Sequence, residues 1–229
     1  MLNMNPKVIF FDAVGTLIRP AESVGAVYAR LGSRHGFNAT ADAMNAAFHA
    51  AWKTTPSPLH PKGCPPPDDD RSWWHHVAAK SFAVAMGKAV PGEVMEPLFH
   101  ELYAHYAQPE AWHVFEDVRS VLEDLTANHS LHVLSNFDRR LLSILEGHDL
   151  RSLFGRIILS SEVGASKPHA RMFAAAVRAA QVMPAECLHV GDEPIADATG
   201  AEAAGMRCFL IRRPEQGFKA LRTLLRPDS

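Results

Sequence analysis

The stretch Lys7–Leu17, KVIFFDAVGTL, decides the reading of the fold. An apolar run enters Asp12 and breaks at Gly15-Thr16. A run of this length that ends in turn residues reads as a buried parallel strand feeding a loop. In open α/β sheets, ligand chemistry gathers at the carboxyl ends of such strands. Asp12 therefore stands at the mouth of a site. Gly15 permits a steep turn, and Thr16 offers a hydroxyl and an N–H there. Alone, the stretch fits an ordinary loop aspartate equally well. Three later segments change that.

From Trp112 onward, strands and helices alternate. The pattern predicts strands at Leu131–Leu134, Ile157–Leu159, Cys187–Val190 and Arg207–Ile211. It predicts helices at Val118–Leu125, Arg139–Leu145, Ala170–Ala180 and Ala198–Ala204. This alternation implies a doubly wound parallel sheet, joined by the strand at Lys7–Phe11.

Between Pro20 and Gln108 the period is helical. Apolar faces recur at Val24, Val27, Tyr28 and Leu31, then at Met44, Ala47, Phe48, Ala51 and Trp52. Asp70 caps a third helix carrying Trp74, Val77, Ala78, Phe82 and Ala85. Met95, Leu98, Phe99, Leu102 and Tyr106 mark a fourth. Four amphipathic helices read as a small bundle. The proline-rich Pro56–Pro67 stretch is expected as an exposed excursion. The expected organisation is an α/β core of residues 1–18 and 112–229, with a helical-bundle domain, 19–111, inserted after strand one over its carboxyl end.

Composition narrows the function classes. The chain has 229 residues, 47% of them apolar, which is ample for a core. A formal charge of −2 gives no electrostatic reason to expect nucleic acid or a membrane surface as partner. No apolar run reaches the ~20 residues of a membrane span. MLNMNPKVIFFDA lacks a basic region followed by a long apolar one, so no signal peptide is expected. Cys64, Cys187 and Cys208 are widely spaced and odd in number. That pattern argues against a disulfide framework or a zinc site and makes a reducing cytoplasm the expected location. Cys187 and Cys208 read as core residues, Trp73-Trp74 as packing, and Arg139-Arg140 as a solvent face.

The late strands all end in polar residues. Leu134 runs into Ser135-Asn136, Ser166-Lys167-Pro168 precedes a helix, and Val190 runs into Gly191-Asp192-Glu193 with Asp197 beyond. Parallel strands bring these ends to one edge, together with Asp12. The acidic members cannot all ionise close together without compensation, and Lys167 supplies too little positive charge. A hard divalent cation such as Mg²⁺ balances them and leaves room for an anionic substrate. Asp12 as nucleophile, a metal, a lysine and a hydroxyl donor suit phosphoryl transfer through an aspartyl-phosphate.

The segments FDAVGTL, LSNFD, SKP and GDEPIAD resemble, in order, the four motifs of the haloacid dehalogenase-like hydrolases. The inserted helical domain resembles that superfamily's cap, and SNFDRRL is most similar to its domain-containing protein 3 subfamily. The resemblance implies that Asp12 is the nucleophile. It also implies that the Val14 carbonyl and Asp192 complete a Mg²⁺ site with Asp12. Ser135 and the Asn136 backbone would hold the phosphoryl group near Thr16, and Lys167 would neutralise it. Glu193 or Asp197 would support the metal. A cap closing over the cleft would set specificity for a small phosphorylated molecule.

One departure matters. Most phosphatases of the superfamily carry a second aspartate two residues after the nucleophile, where this chain has Val14. General acid–base help of that kind is typically worth ~10²–10⁴-fold. A good leaving group, or substitution by Glu193, Glu22 or His75, would relieve the loss. Two other readings stay open. The DAVGTL form also resembles metal-independent 2-haloacid dehalogenases, although Asp192, Glu193 and Asp197 would repel a haloacid carboxylate. A catalytically weak phospholigand- or partner-binding protein is the other.

Overall fold

A computed structural model describes residues 5–213 and 215–225. In chain order the elements begin with β1 (Val8–Phe11), β2 (Ile18–Pro20), α1 (Val24–Arg34) and α2 (Ala41–Thr54). Next come α3 (Arg71–Met86), α4 (Gly92–His105), β3 (Trp112–Val114), α5 (Val118–Leu125) and β4 (Ser130–Ser135). Then follow α6 (Arg140–Gly147), β5 (Arg156–Leu159), α7 (Ser160–Val163), α8 (Ala170–Ala180) and β6 (Cys187–Gly191). The chain ends in α9 (Gly200–Ala203), β7 (Arg207–Leu210) and α10 (Phe218–Leu225). No helix among the described residues is long and apolar enough to cross a membrane.

Five strands form one parallel sheet in the order β5-β4-β1-β6-β7, so β1 is central. All four of its residues are buried, as a strand covered on both faces requires. Val8 and Phe10 join one apolar layer with Met172, Phe173 and Ala176 of α8 and Ala201 of α9. Phe11 points the opposite way, stacking on Phe218 of α10 with ring centres 5.6 Å apart. Helices on both faces make the fold α/β and doubly wound.

The chain divides into two compact units: residues 1–19, 59–65 and 114–229 in one, and 20–58 and 66–113 in the other. The second unit is helical. Ser23 and Thr40 cap α1 and α2 through their side-chain oxygens. Tyr28 of α1 stacks on Phe82 of α3 at 5.6 Å, beside Met44 of α2 and Leu98, Phe99 and Leu102 of α4. Trp52, Trp73 and Trp74 pack as a cluster.

Several local expectations are corrected. The proline-rich stretch is not wholly an excursion. Leu59 bridges Ala165, the His60 N–H donates to the Gly164 carbonyl at 2.9 Å, and Arg171 holds the His60 carbonyl at 2.7 Å. Asp70 sits at the start of α3 in a left-handed conformation without a capping bond; Asp68 accepts the Ser72 N–H instead, at 2.8 Å. The last site helix starts as a wide π-type turn over Pro194–Thr199 before α9. Arg140 is not on a solvent face: its guanidinium grips the fully buried Asp138 at 2.6 and 2.8 Å.

Candidate active site

Register fixes the position of the site within the α/β unit. Phe11 lies level with Val133 of β4 and Val190 of β6. Asp12, Ser135-Asn136 and Gly191-Asp192 therefore leave the sheet at one edge. The Asp12 N–H still donates to the Val190 carbonyl at 2.8 Å, so the side chain starts from a rigid ladder. Beyond it the chain doubles back, with the N–H groups of Leu17 and Ile18 both returning to the Ala13 carbonyl. Gly15 takes φ +91° in this turn, and a Cβ there would collide with the Asp192 carboxylate. Glycine thus supplies both the left-handed turn and the space for Asp192. The Thr16 hydroxyl donates to Asp192 Oδ1 at 3.0 Å.

Lys167 connects the acidic groups. Its ammonium lies 2.8 Å from Asp12 Oδ1 and 2.6 Å from Asp197 Oδ1, and its side chain is buried. The Asn136 side chain accepts the Lys167 N–H at 2.6 Å and donates to the Lys167 carbonyl at 3.0 Å. Burial by itself pulls the lysine down, but Asp12 and Asp197 outweigh it and hold the ammonium above its usual range. Burial pushes Asp197 up, yet the Lys167 charge and bonds from His189 and Lys167 hold it far below the usual carboxylate range. Replacing a buried pair by apolar groups is often neutral for stability, so the presence of this pair does not imply that it holds the fold.

Asp192 accepts the Thr16 hydroxyl bond but has no ion pair among the described residues. Burial first, and the neighbouring Asp12 charge second, push its carboxyl up to about 7. Oxygens of Asp12, Asp192 and Asp197 all lie within 4.8 Å of one another. Asp197 is committed to Lys167, to His189 and, through Oδ2, to the Glu193 N–H at 2.9 Å. Asp12 and Asp192 therefore stand as the pair open to a cation. An all-oxygen donor set with excess negative charge fits a hard ion of the Mg²⁺ type.

Of the residues expected from sequence, Asp12, Thr16, Asn136, Lys167, Asp192 and Asp197 are linked by these contacts. Ser135 is buried at the end of β4, level with Leu159. Glu193 has an exposed side chain and contributes its backbone N–H. Val14 is partly buried and bridges Ile18. Glu22 pairs with Arg30 within the helical unit, and His75 lies on Phe99 there. His189 was not expected. It lies in the middle of β6, fully buried, with Nε2 2.8 Å from Asp197 Oδ1. The signal available in the sequence was strand alternation, which puts His189 on the same face as Cys187 and Gly191.

The sheet order places Asp12 at the end of the central strand, and Lys167 joins it to Asp197 at the same edge. The chain belongs to the haloacid dehalogenase-like hydrolases, whose family model matches residues 6–205. It is 33% identical over 210 residues to "Haloacid dehalogenase-like hydrolase domain-containing protein 3" of Bos taurus, covering 91% of this chain and 83% of that protein. A HAD phosphatase from Thermococcus onnurineus shares the fold with a TM-score of 0.65 at 21% identity, covering 96% of this chain and 97% of that one. The L-2-haloacid dehalogenase RSc1362 shares it with a TM-score of 0.70, also at 21% identity, covering 96% and 99%. Both chemistries thus occur on this architecture, and residues must decide between them.

Proposed function

We propose that this hydrolase is a Mg²⁺-dependent phosphatase acting on a small phosphorylated metabolite through phospho-Asp12. The observation that carries the reading is the cluster of Asp12, Asp192 and Asp197 oxygens within 4.8 Å of one another, served by one ammonium. Asp12, Asp192 and the Val14 carbonyl would hold the ion. When bound, it would offset carboxylate charge and polarise a phosphoryl oxygen.

This chain's own groups then have defined tasks. An Asp12 carboxylate oxygen attacks phosphorus, and the bond to the leaving oxygen breaks. Lys167 offsets charge on Asp12 and on the phosphoryl oxygens, and Ser135 with the Asn136 N–H binds one of those oxygens. Water then attacks phosphorus, frees Asp12 and releases inorganic phosphate. Val14 has no proton to give, so the leaving oxygen departs as an anion or is protonated from solvent. Esters of acidic alcohols are the favoured substrates on this reading. A metal-free site for a haloacid carboxylate suits the crowded carboxylates poorly.

Hydrolysis of p-nitrophenyl phosphate with Mg²⁺ and with EDTA, in the wild type and in Asp12→Asn, tests the reading. Activity that needs both the ion and Asp12 is expected. Activity indifferent to EDTA, or unchanged in Asp12→Asn, overturns it. Halide release from 2-chloropropionate by a protein silent toward phosphate esters would transfer the assignment to dehalogenation.

A further inference from the structure

His189 is an unusual residue for a central strand. It is fully buried, its backbone level with Phe10 on one side and Cys208 on the other. Its ring meets Phe173 edge-on at 5.8 Å. Nε2 lies 2.8 Å from Asp197 Oδ1, whereas Nδ1 has no hydrogen-bond partner among the described residues. Asp197 is a carboxylate and accepts only, so Nε2 carries the hydrogen. Nδ1 has nothing to accept a hydrogen from it among the described residues, which favours the neutral ring with Nε2 as its donor. Burial acts in the same direction, disfavouring the imidazolium.

The same Oδ1 of Asp197 that accepts from His189 also accepts from Lys167 at 2.6 Å. Lys167 in turn reaches Asp12 at 2.8 Å. Three bonds thus run from a core histidine to the nucleophile. Gly191 makes the approach possible, because a Cβ there would collide with the Asp197 carboxylate. Asp197 Oδ2 is held by the Glu193 N–H at 2.9 Å. Among the described residues, that backbone bond and Lys167 itself would be left to orient the carboxylate without His189. The lysine could then draw Asp197 toward itself and leave Asp12.

We propose that His189 is a positioning residue: a neutral imidazole that holds Asp197 by Nε2–H, so that Lys167 is held on Asp12. This goes one step beyond the phosphatase reading and takes its kinetic test from it. A role in packing alone predicts a different mutational pattern. Leucine would fill the apolar pocket as well as histidine does, while glutamine would bury an amide at a cost. A positioning role predicts the reverse for function, because Gln Nε2 can replace the lost donor.

The test compares His189→Leu and His189→Gln with wild type, after unfolding curves show each variant folded at the assay temperature. Two readouts are used. The first is kcat and KM for p-nitrophenyl phosphate with Mg²⁺. Expected are a kcat about 10-fold lower in His189→Leu with KM within about threefold, and recovery of most of the loss in His189→Gln. The second needs no turnover: the rate at which Lys167 is reductively methylated, followed by peptide mass. It is expected to rise severalfold in His189→Leu and to return toward wild type in His189→Gln. Wild-type kcat and Lys167 reactivity in the leucine variant would overturn the proposal. Silence of the wild type toward phosphate esters would remove the phosphatase reading while the lysine readout still decides the role of His189.

Discussion

The side-chain amide of Asn136 clasps the backbone of Lys167 from both sides, accepting its N–H at 2.6 Å and donating to its carbonyl at 3.0 Å. This clasp joins the ends of two motifs and aims the lysine. Asn136→Ala removes both bonds, each worth about 1 kcal/mol. The expected result is a kcat about 10-fold lower with a modest fall in unfolding temperature. Asn136→Asp keeps the acceptor but loses the donor and adds negative charge against the Lys167 backbone, whose carbonyl it would face. It should be the less active of the two, and steady-state kinetics on both variants checks the order.

On the phosphatase reading, Val14 is the place where a proton donor for the leaving group would be added. Val14→Asp should raise turnover about 10-fold or more on alkyl phosphates, whose leaving groups need a proton, and less on p-nitrophenyl phosphate. Equal effects on both classes, or no gain, would mean that protonation of the leaving group does not limit the reaction.

Asp192 predicts a pH-dependent link between metal and stability. Its carboxyl is pushed up to about 7 from 3.8 by burial and by Asp12. A folded pKa above the unfolded one favours folding while the group is protonated. That contribution is complete below 3.8 and is lost as pH rises toward about 7. The metal-free protein should therefore lose stability relative to Asp192→Asn between pH 4 and pH 8. Mg²⁺ should raise the unfolding temperature of the wild type more at pH 8 than at pH 5, and that of Asp192→Asn little at either. Thermal unfolding with EDTA and with Mg²⁺ at the two pH values reads both effects.

Gly15 carries two demands in one position, a φ of +91° and contact with Asp192. Gly15→Ala should cost about 1–3 kcal/mol of stability from the backbone alone. It should also weaken Mg²⁺ binding, because Asp192 must move away. Titration of Mg²⁺ by calorimetry separates the second effect from the first.

The parallel sheet was legible because buried strands such as Val8–Phe11 are continuous apolar runs, and its edge chemistry because each run stops at a polar residue. The rest depends on contacts that leave no period. The pairing of Leu59 with Ala165 joins distant segments through a few backbone bonds, and the proline-rich composition around Leu59 gives no sign of it. The three-residue β2 and β3 are too short to show alternation. Arg140 looked solvent-facing by helical position, but Asp138, two residues earlier, captures it by a local turn. His189 sits inside an apolar strand, where residue type alone does not separate a packing histidine from one that holds a carboxylate. Only the placement of Asp197 against Gly191 shows what it holds.

On the phosphatase reading, Asp12 carries the phosphoryl group during turnover. The most direct measurement is acid-quench mass spectrometry of the protein during turnover of p-nitrophenyl phosphate with Mg²⁺. One added phosphoryl mass is expected on the peptide containing Asp12, absent with EDTA and absent in Asp12→Asn. Sustained turnover with no phosphorylated Asp12 peptide at any quench time would contradict that reading.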